Sequence, residues 1–305
     1  MKIAIIGAGA MGSIYGAYLS KRHEVCLIDK NEVIVEQINR AGVILQEAGK
    51  DIIYHPKACI TSQGLGKMDL VILFVKALYS KSALEENRDI IDDKTCLMTL
   101  QNGSGHEDIL QEAAPLERII IGTTEDNGCV LSPGHVRHGG AGRTNIGMLT
   151  TDVHGTLPKL KEAFDSCGFA TRIHENIQQL IWDKLFTNIS LSAVTGILQV
   201  PMGFIAADSY AWKMTRQLMH EAVGVAQQMG LVFDENELLQ RIRKTSEDNP
   251  QGETSIYNDL KHSRRTEVDT ISGSVVRAAV RQKLTVPAHE FLVNMVHAME
   301  DRNNK

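Results

Sequence analysis

Lys2-Ile3-Ala4-Ile5-Ile6-Gly7-Ala8-Gly9-Ala10-Met11-Gly12 is the stretch on which the reading of this chain turns. A short β-type run leads into three glycines spaced Gly7-x-Gly9-x-x-Gly12, and a helical pattern follows to about Lys21. Glu24 to Asp29 is a second apolar run, and it ends in an acid 17 positions after Gly12. Strand, glycine turn, helix, strand and acid, in that order, are the context this glycine spacing requires. Gly7 permits the tight turn, Gly9 lets backbone approach a pyrophosphate, and Gly12 lets the helix pack closely on the sheet. The helix N-terminus adds free N–H groups and partial positive charge. The loop Gly7, Ala8, Gly9, Ala10, Met11 and Gly12 is therefore expected to hold a dinucleotide. Asp29 would accept bonds from the ribose hydroxyls and repel a 2′-phosphate, whereas Lys30 could neutralise that phosphate. NAD(H) is the preferred cofactor and NADP(H) the alternative.

Working outward, Asp69 to Val75, Thr95 to Leu100 and Arg118 to Thr123 are almost wholly apolar, as parallel strands buried on both faces should be. Helix-like segments separate most of them, which predicts a doubly wound α/β sheet. His135 to His138 and Thr144 to Met148 are expected as antiparallel strands added at an edge. From Glu175 onward the pattern is helical, with long stretches over Gln178 to Leu198 and Tyr210 to Met229. Asn249-Pro250-Gln251-Gly252 reads as a loop or helix break. The expected organisation is a parallel-sheet domain over 1–174 and an all-helical domain over 175–305.

Composition narrows the function classes. The 305 residues carry a formal net charge of -5, with 43% hydrophobic and 23% charged residues, which is ordinary for a globular protein. No concentrated basic surface points to nucleic acid or membrane, and Lys261 to Arg265 reads as a solvated face. The five cysteines, Cys26, Cys59, Cys96, Cys129 and Cys167, are widely spaced with no CxxC pair, so neither a zinc site nor a disulfide framework is expected. Cys26 and Cys96 read as core thiols, and a reducing cytoplasm fits best. The N-terminus reads as a folded strand rather than a signal peptide, and no apolar stretch reaches the ~20 residues a membrane span needs.

Five motifs in order carry a family resemblance: the Gly7–Gly12 loop; Val75-Lys76-Ala77; Leu100-Gln101-Asn102-Gly103-Ser104-Gly105; Ile181-Trp182-Asp183-Lys184-Leu185-Phe186-Thr187-Asn188; and Ser255-Ile256-Tyr257-Asn258-Asp259 followed by Arg265-Thr266-Glu267-Val268-Asp269. Together they resemble the ketopantoate reductase family along essentially the whole chain. The resemblance implies a Rossmann-type domain followed by a helical domain, with substrate held between them. It also implies hydride transfer from a nicotinamide to C2 of a 2-oxo acid, giving the (R)- or D-2-hydroxy acid. By resemblance Lys184 is the proton donor, with Glu267 orienting it or the substrate. Lys184 and Asn188 stand four apart on an expected helix and so share a face. An ammonium beside the carbonyl oxygen would stabilise the charge that develops there. Asn102 looks like the asparagine between cofactor and substrate, Lys76 like a cofactor-contacting lysine, and Ser255 like the serine that holds the substrate carboxylate.

The family pattern has further asparagines where this chain, counted from Lys184 and Glu267, has Ser192, Met202 and Gly252. Ser192 is kept among the expected substrate-binding residues with Asn102, Asn188 and Ser255. Loss of amide partners for a hydroxyl points to a branched or bulky apolar 2-oxo acid. A dedicated ketopantoate (2-dehydropantoate) reductase is the alternative. A non-catalytic NAD(P) sensor is disfavoured because Lys184 and Glu267 are both present, and a dehydrogenase for 3-hydroxy acids or phosphorylated polyols is disfavoured by the Thr266–Asp269 segment. The expected partners are a small 2-oxo acid and, for assembly, a second copy in a homodimer. No metal site is expected.

Overall fold

The computed structural model describes residues 1–303. The chain divides into two compact units, one of Met1–Gln101 with His106–Ile177 and one of Asn102–Gly105 with Gln178–Lys305.

Among the described residues the first unit holds all twelve strands: β1 (Lys2–Ile6), β2 (Glu24–Ile28), β3 (Val43–Glu47), β4 (Lys50–Tyr54), β5 (Lys57–Cys59), β6 (Leu70–Leu73), β7 (Cys96–Thr99), β8 (Ile119–Thr124), β9 (Asn127–Ser132), β10 (His135–Gly140), β11 (Arg143–Gly147) and β12 (Ala170–Ile173). Eight form one sheet in the order β12-β11-β8-β7-β6-β1-β2-β5. Strands β5, β2, β1, β6, β7 and β8 run parallel, and β6 and β7 are buried at every residue. The wholly apolar runs follow from that burial on both faces.

The edge is more complex than expected. β11 joins β8 antiparallel, and β12 then pairs β11 in parallel. β10 leaves this sheet altogether. It lies in a separate four-stranded sheet, β4-β3-β10-β9, parallel to β3 and antiparallel to β9. The Lys50–Tyr54 partner is mostly exposed and barely alternates in hydrophobicity, so its pairing leaves little trace in sequence.

Helices α1 (Ala10–Leu19), α2 (Glu32–Ala41), α3 (Ser80–Glu86), α4 (His106–Leu110) and α5 (Thr156–Cys167) belong to this unit. Helix α1 is buried from Gly12 to Ala17 and contacts strands of both sheets, which explains its lack of a polar face. At its centre Tyr15 stacks on Phe169 at 4.4 Å between ring centroids and bonds the Thr144 hydroxyl at 2.7 Å.

In the second unit α6 (Ile177–Thr187) continues without a break through a π turn, Asn188–Ser192, into α7 (Ala193–Leu198). Then follow α8 (Gly203–Ala207), α9 (Ser209–Gln228), α10 (Glu235–Asp248), α11 (Ser255–Lys261), α12 (Ser272–Arg281) and α13 (Pro287–Asn303). Their apolar stripes close over one core that includes Trp182, Phe186, Met219 and Ile242. Among the described residues no helix is long and apolar enough to cross a membrane.

Candidate active site

The carboxyl ends of β1, β2 and β6 open into a cleft of about 520 Å³ within the first unit, lined by Gly7, Gly9, Asp29, Lys30, Lys76 and residues of α3. The three glycines serve different needs. Gly7 sits at φ +103°, and a Cβ there would lie 2.7 Å from the Val75 nitrogen. A Cβ on Gly12 would lie 1.8 Å from the Gly7 carbonyl oxygen. The third glycine is therefore demanded first by the loop folding back on itself, not by helix–sheet packing. That packing falls to Gly16, where a Cβ would meet Leu27 at 2.7 Å. Gly9 alone has nothing within 4 Å of its Cβ position, and it caps α1 without any side-chain bond. Bare backbone and uncapped N–H groups facing a cleft fit a pyrophosphate.

Asp29 is oriented by two backbone donors: Ala8 N–H at 2.8 Å and Asn31 N–H at 2.9 Å. Lys30 does not stand alone beside it. Its ammonium pairs with Glu86 of α3 at 2.7 Å, and Glu86 also lines the cleft. Ala10 and Met11 open α1 and pack on the core of the first unit. Lys76 is exposed on the turn after β6. That turn is tied down by Gln101, whose amide donates to the Val75 carbonyl at 2.6 Å and to the Ser80 hydroxyl at 3.0 Å.

In the second unit the π turn organises the polar residues. A four-residue step in an α-helix overshoots one turn by about 40°. The wider π turn holds more than four residues, so the same step falls short. The two offsets oppose each other, and Lys184, Asn188 and Ser192 stay on one stripe of the continuous helix. Lys184 and Asn188 are half-buried and Ser192 is buried. Asp183, one residue round from Lys184, is drawn to α10 by Arg241, whose guanidinium meets both carboxylate oxygens at 2.9 and 3.1 Å. The Ser192 and Ser255 hydroxyls are 3.2 Å apart, with Ser255 exposed at the start of α11.

Glu267 is half-buried on the loop before α12. Asn102 is exposed, and the turn that carries it packs with this loop. Ser104 N–H donates to the Thr270 carbonyl at 2.9 Å, and a Cβ on Gly103, which sits at φ +98°, would lie 2.2 Å from that same oxygen.

Met202 and Gly252 adjoin each other, Met202 N–H donating to the Gly252 carbonyl at 2.9 Å. Sequence reading passed over what stands beside them: the Asn249 side-chain amide lies 2.5 Å from the position of a Gly252 Cβ. It also passed over Glu86, and it gave Gln101 no role of its own within the Leu100–Gly105 motif. Only the fold brings each of these side chains to its place.

A family model described as "Ketopantoate reductase PanE/ApbA" matches residues 3–151, and one described as "Ketopantoate reductase PanE/ApbA C terminal" matches residues 176–300. The chain is 32% identical over 301 residues to the 2-dehydropantoate 2-reductase of Pyrococcus horikoshii, with 98% of each chain covered. It is 30% identical over 307 residues to the enzyme of that name from Lactococcus lactis subsp. lactis, with 99% of this chain and 98% of that one covered. Among solved structures, the ternary structure of D-mandelate dehydrogenase with NADH and anilino(oxo)acetate is similar at a TM-score of 0.89 and 32% identity over the whole of both chains. Matched through both units and almost end to end, the chain belongs to the ketopantoate reductase family of NAD(P)-dependent oxidoreductases acting on CH–OH groups.

Proposed function

We propose that the protein reduces the C2 carbonyl of 2-dehydropantoate (ketopantoate) to the (R)-2-hydroxy acid. The observation that carries this reading is the polar stripe Lys184, Asn188 and Ser192, meeting Ser255, in a chain whose near-full-length relatives are 2-dehydropantoate 2-reductases. NAD(P)H, when bound, supplies a hydride to C2. Lys184 stabilises the charge that develops on the carbonyl oxygen and donates the proton that completes the hydroxyl, leaving a neutral amine that solvent reprotonates. Asn188 bonds the same oxygen. Ser255 and Ser192 hold the carboxylate, and Glu267 orients the ammonium or the substrate. Asn102 fixes the substrate against the cofactor, which Gly7 to Gly12, Asp29 and Lys76 bind.

A second reading is a reductase for branched or aromatic 2-oxo acids. It is favoured by Met202 and Gly252, which stand where the family pattern has amides, and by the likeness to D-mandelate dehydrogenase. The relatives support ketopantoate better, and Asn249 returns an amide to the neighbourhood of Gly252. Measuring kcat/KM for ketopantoate, 2-oxoisovalerate and phenyl-2-oxoacetate separates the two. A site that bonds the hydroxyl should prefer ketopantoate by ~10³-fold or more, whereas an apolar site should discriminate by less than ~100-fold. For the cofactor we propose NADH over NADPH, because Asp29 faces the cleft and Glu86 occupies Lys30. A homodimer is the proposed assembly, to be checked by light scattering.

A further inference from the structure

The loop that carries Glu267 is fastened by a carboxylate from the far end of the chain. Glu300 of α13 is 2% exposed. One of its oxygens accepts from Thr266 N–H at 2.7 Å, and the other meets Arg265 Nη1 at 2.8 Å and His297 Nδ1 at 3.1 Å. Burial pushes this carboxyl up, but the Thr266 N–H and hydroxyl, the Arg265 guanidinium and the His297 ring outweigh it and hold it below the usual carboxylate range. One turn earlier on the same helix, His297 Nε2 meets Asp269 at 3.1 Å, so α13 grips both ends of the segment.

Between the grips the loop folds tightly. The Glu267 carbonyl accepts from Thr270 N–H and Ile271 N–H, each at 3.1 Å. Thr266 and Val268 are buried, leaving Glu267 between them as the more exposed side chain. Thr270 then passes the placement on to the Gly103–Ser104 turn next to Asn102, where no Cβ could be accommodated. An apolar contact could hold a loop at lower desolvation cost than a buried charge. What the carboxylate adds is direction: its bonds fix the loop's height and rotation.

We propose that Glu300 is a positioning residue for the reaction, acting through this loop to fix where Glu267 stands. The inference rests on the reading of Glu267 as part of the reducing site. It is tested with the full-length enzyme in four forms: wild type, Glu300→Gln, Glu267→Gln and the double variant, with Glu300→Ala added where it folds. NADH affinity is followed by fluorescence, and kcat and KM for ketopantoate at saturating NADH.

Glu300→Ala should lower kcat about 10- to 100-fold, the cost of a displacement near 1 Å. Glu300→Gln keeps an acceptor for Thr266 N–H and should lose less. NADH affinity should stay within about twofold in both. In the Glu267→Gln background the Glu300→Gln effect should shrink to within about threefold, because the group it positions is already disabled. An equal loss in both backgrounds, or unchanged kcat in the folded Glu300 variants, overturns the proposal. Wild type inactive on every 2-oxo acid overturns the parent reading and this one together. Active wild type with indifferent Glu300 variants overturns this one alone.

Discussion

In the first unit the cleft is shaped by backbone, and in the second the candidate site is assembled from side chains. Gly7, Gly9 and Gly12 lie within six consecutive positions, and each is specified by what a Cβ would strike or leave open. Lys184, Asn188 and Ser192 owe their common stripe to a change of helical pitch, while Ser255 comes from the first residue of α11 and Glu267 and Asn102 from two loops. A backbone site is written locally and tolerates few residue types. A side-chain site is spread over more than 160 positions, from Asn102 to Glu267, and is held in register by bonds between the elements that carry it.

The sharpest break of this comparison is Lys184→Ala. It should lower kcat about 10²- to 10⁴-fold, the range for losing a proton donor or charge-stabilising group, with NADH affinity intact because the cleft lies in the other unit. Stopped-flow turnover and a fluorescence titration of the same preparation check both halves. A variant with near-normal kcat would remove Lys184 from the mechanism.

Stability should also differ between the units. His289 opens α13 fully buried, with Nε2–H donating to the Leu218 carbonyl at 3.0 Å. Burial outweighs that bond and the nearby Glu221, lowering its pKa from 6.5 to about 4. Folded His289 therefore stays neutral while the unfolded chain takes up a proton. Its contribution is present above pH 6.5 and is lost as pH falls towards 4, by up to about 3 kcal/mol. Both tryptophans, Trp182 and Trp212, lie in the second unit, so their fluorescence reports its unfolding alone. The urea midpoint by fluorescence should drop between pH 6.5 and 4, and His289→Gln should flatten that slope. An unchanged slope in the variant assigns the loss to other groups.

The same contrast explains what sequence could supply. The parallel strands were legible because burial on both faces leaves unbroken apolar runs, and the glycine loop because steric exclusion leaves one residue type. The helical half was legible as helices but not as a site. Lys184 looks like any helical lysine until its motif is matched to a family, and nothing local announces a π turn. The separate small sheet was missed because β4 is exposed and β10 pairs with β3 across about 90 positions. Cys26 and Cys59 are far apart in sequence, yet adjacent strands bring their thiols to 3.2 Å. Contacts of that kind are products of topology.

Gly9→Ala tests whether the backbone site is steric or merely glycine-rich. Its Cβ would project into open space, so the unit should fold with its midpoint unchanged. KM for NADH should nevertheless rise about tenfold, because on the proposed reading the methyl would stand where the pyrophosphate approaches. Gly7→Ala is the control: strained at φ +103° and pressed on Val75, it should destabilise the unit itself. If Gly9→Ala leaves KM for NADH unchanged, the pyrophosphate does not pass over this residue.

The smallest effect expected is at Glu86, whose side chain joins those of Asp29 and Lys30 at the rim of the glycine-built cleft. Lys30 is the one basic residue directly after Asp29, and left alone it would offer a 2′-phosphate an ammonium. Glu86 meets that ammonium at 2.7 Å and brings a second negative charge to the cleft beside Asp29. Both groups are well exposed, so the pair itself adds little to stability. On the proposed reading its effect is on choice: NADPH would have to break the pair or approach two carboxylates. Glu86→Gln frees Lys30 and removes one of those charges, and should raise kcat/KM for NADPH about three- to tenfold, as a solvent-screened interaction of roughly 1 kcal/mol allows. NADH should change by less than about twofold, because the proposed ribose ligand, Asp29, is left oriented by Ala8 and Asn31. The gain should also shrink at high salt, where the exposed charges are screened. Equal shifts for both cofactors would mean that Glu86 shapes the cleft rather than selecting its ligand, and discrimination would then rest on Asp29 alone.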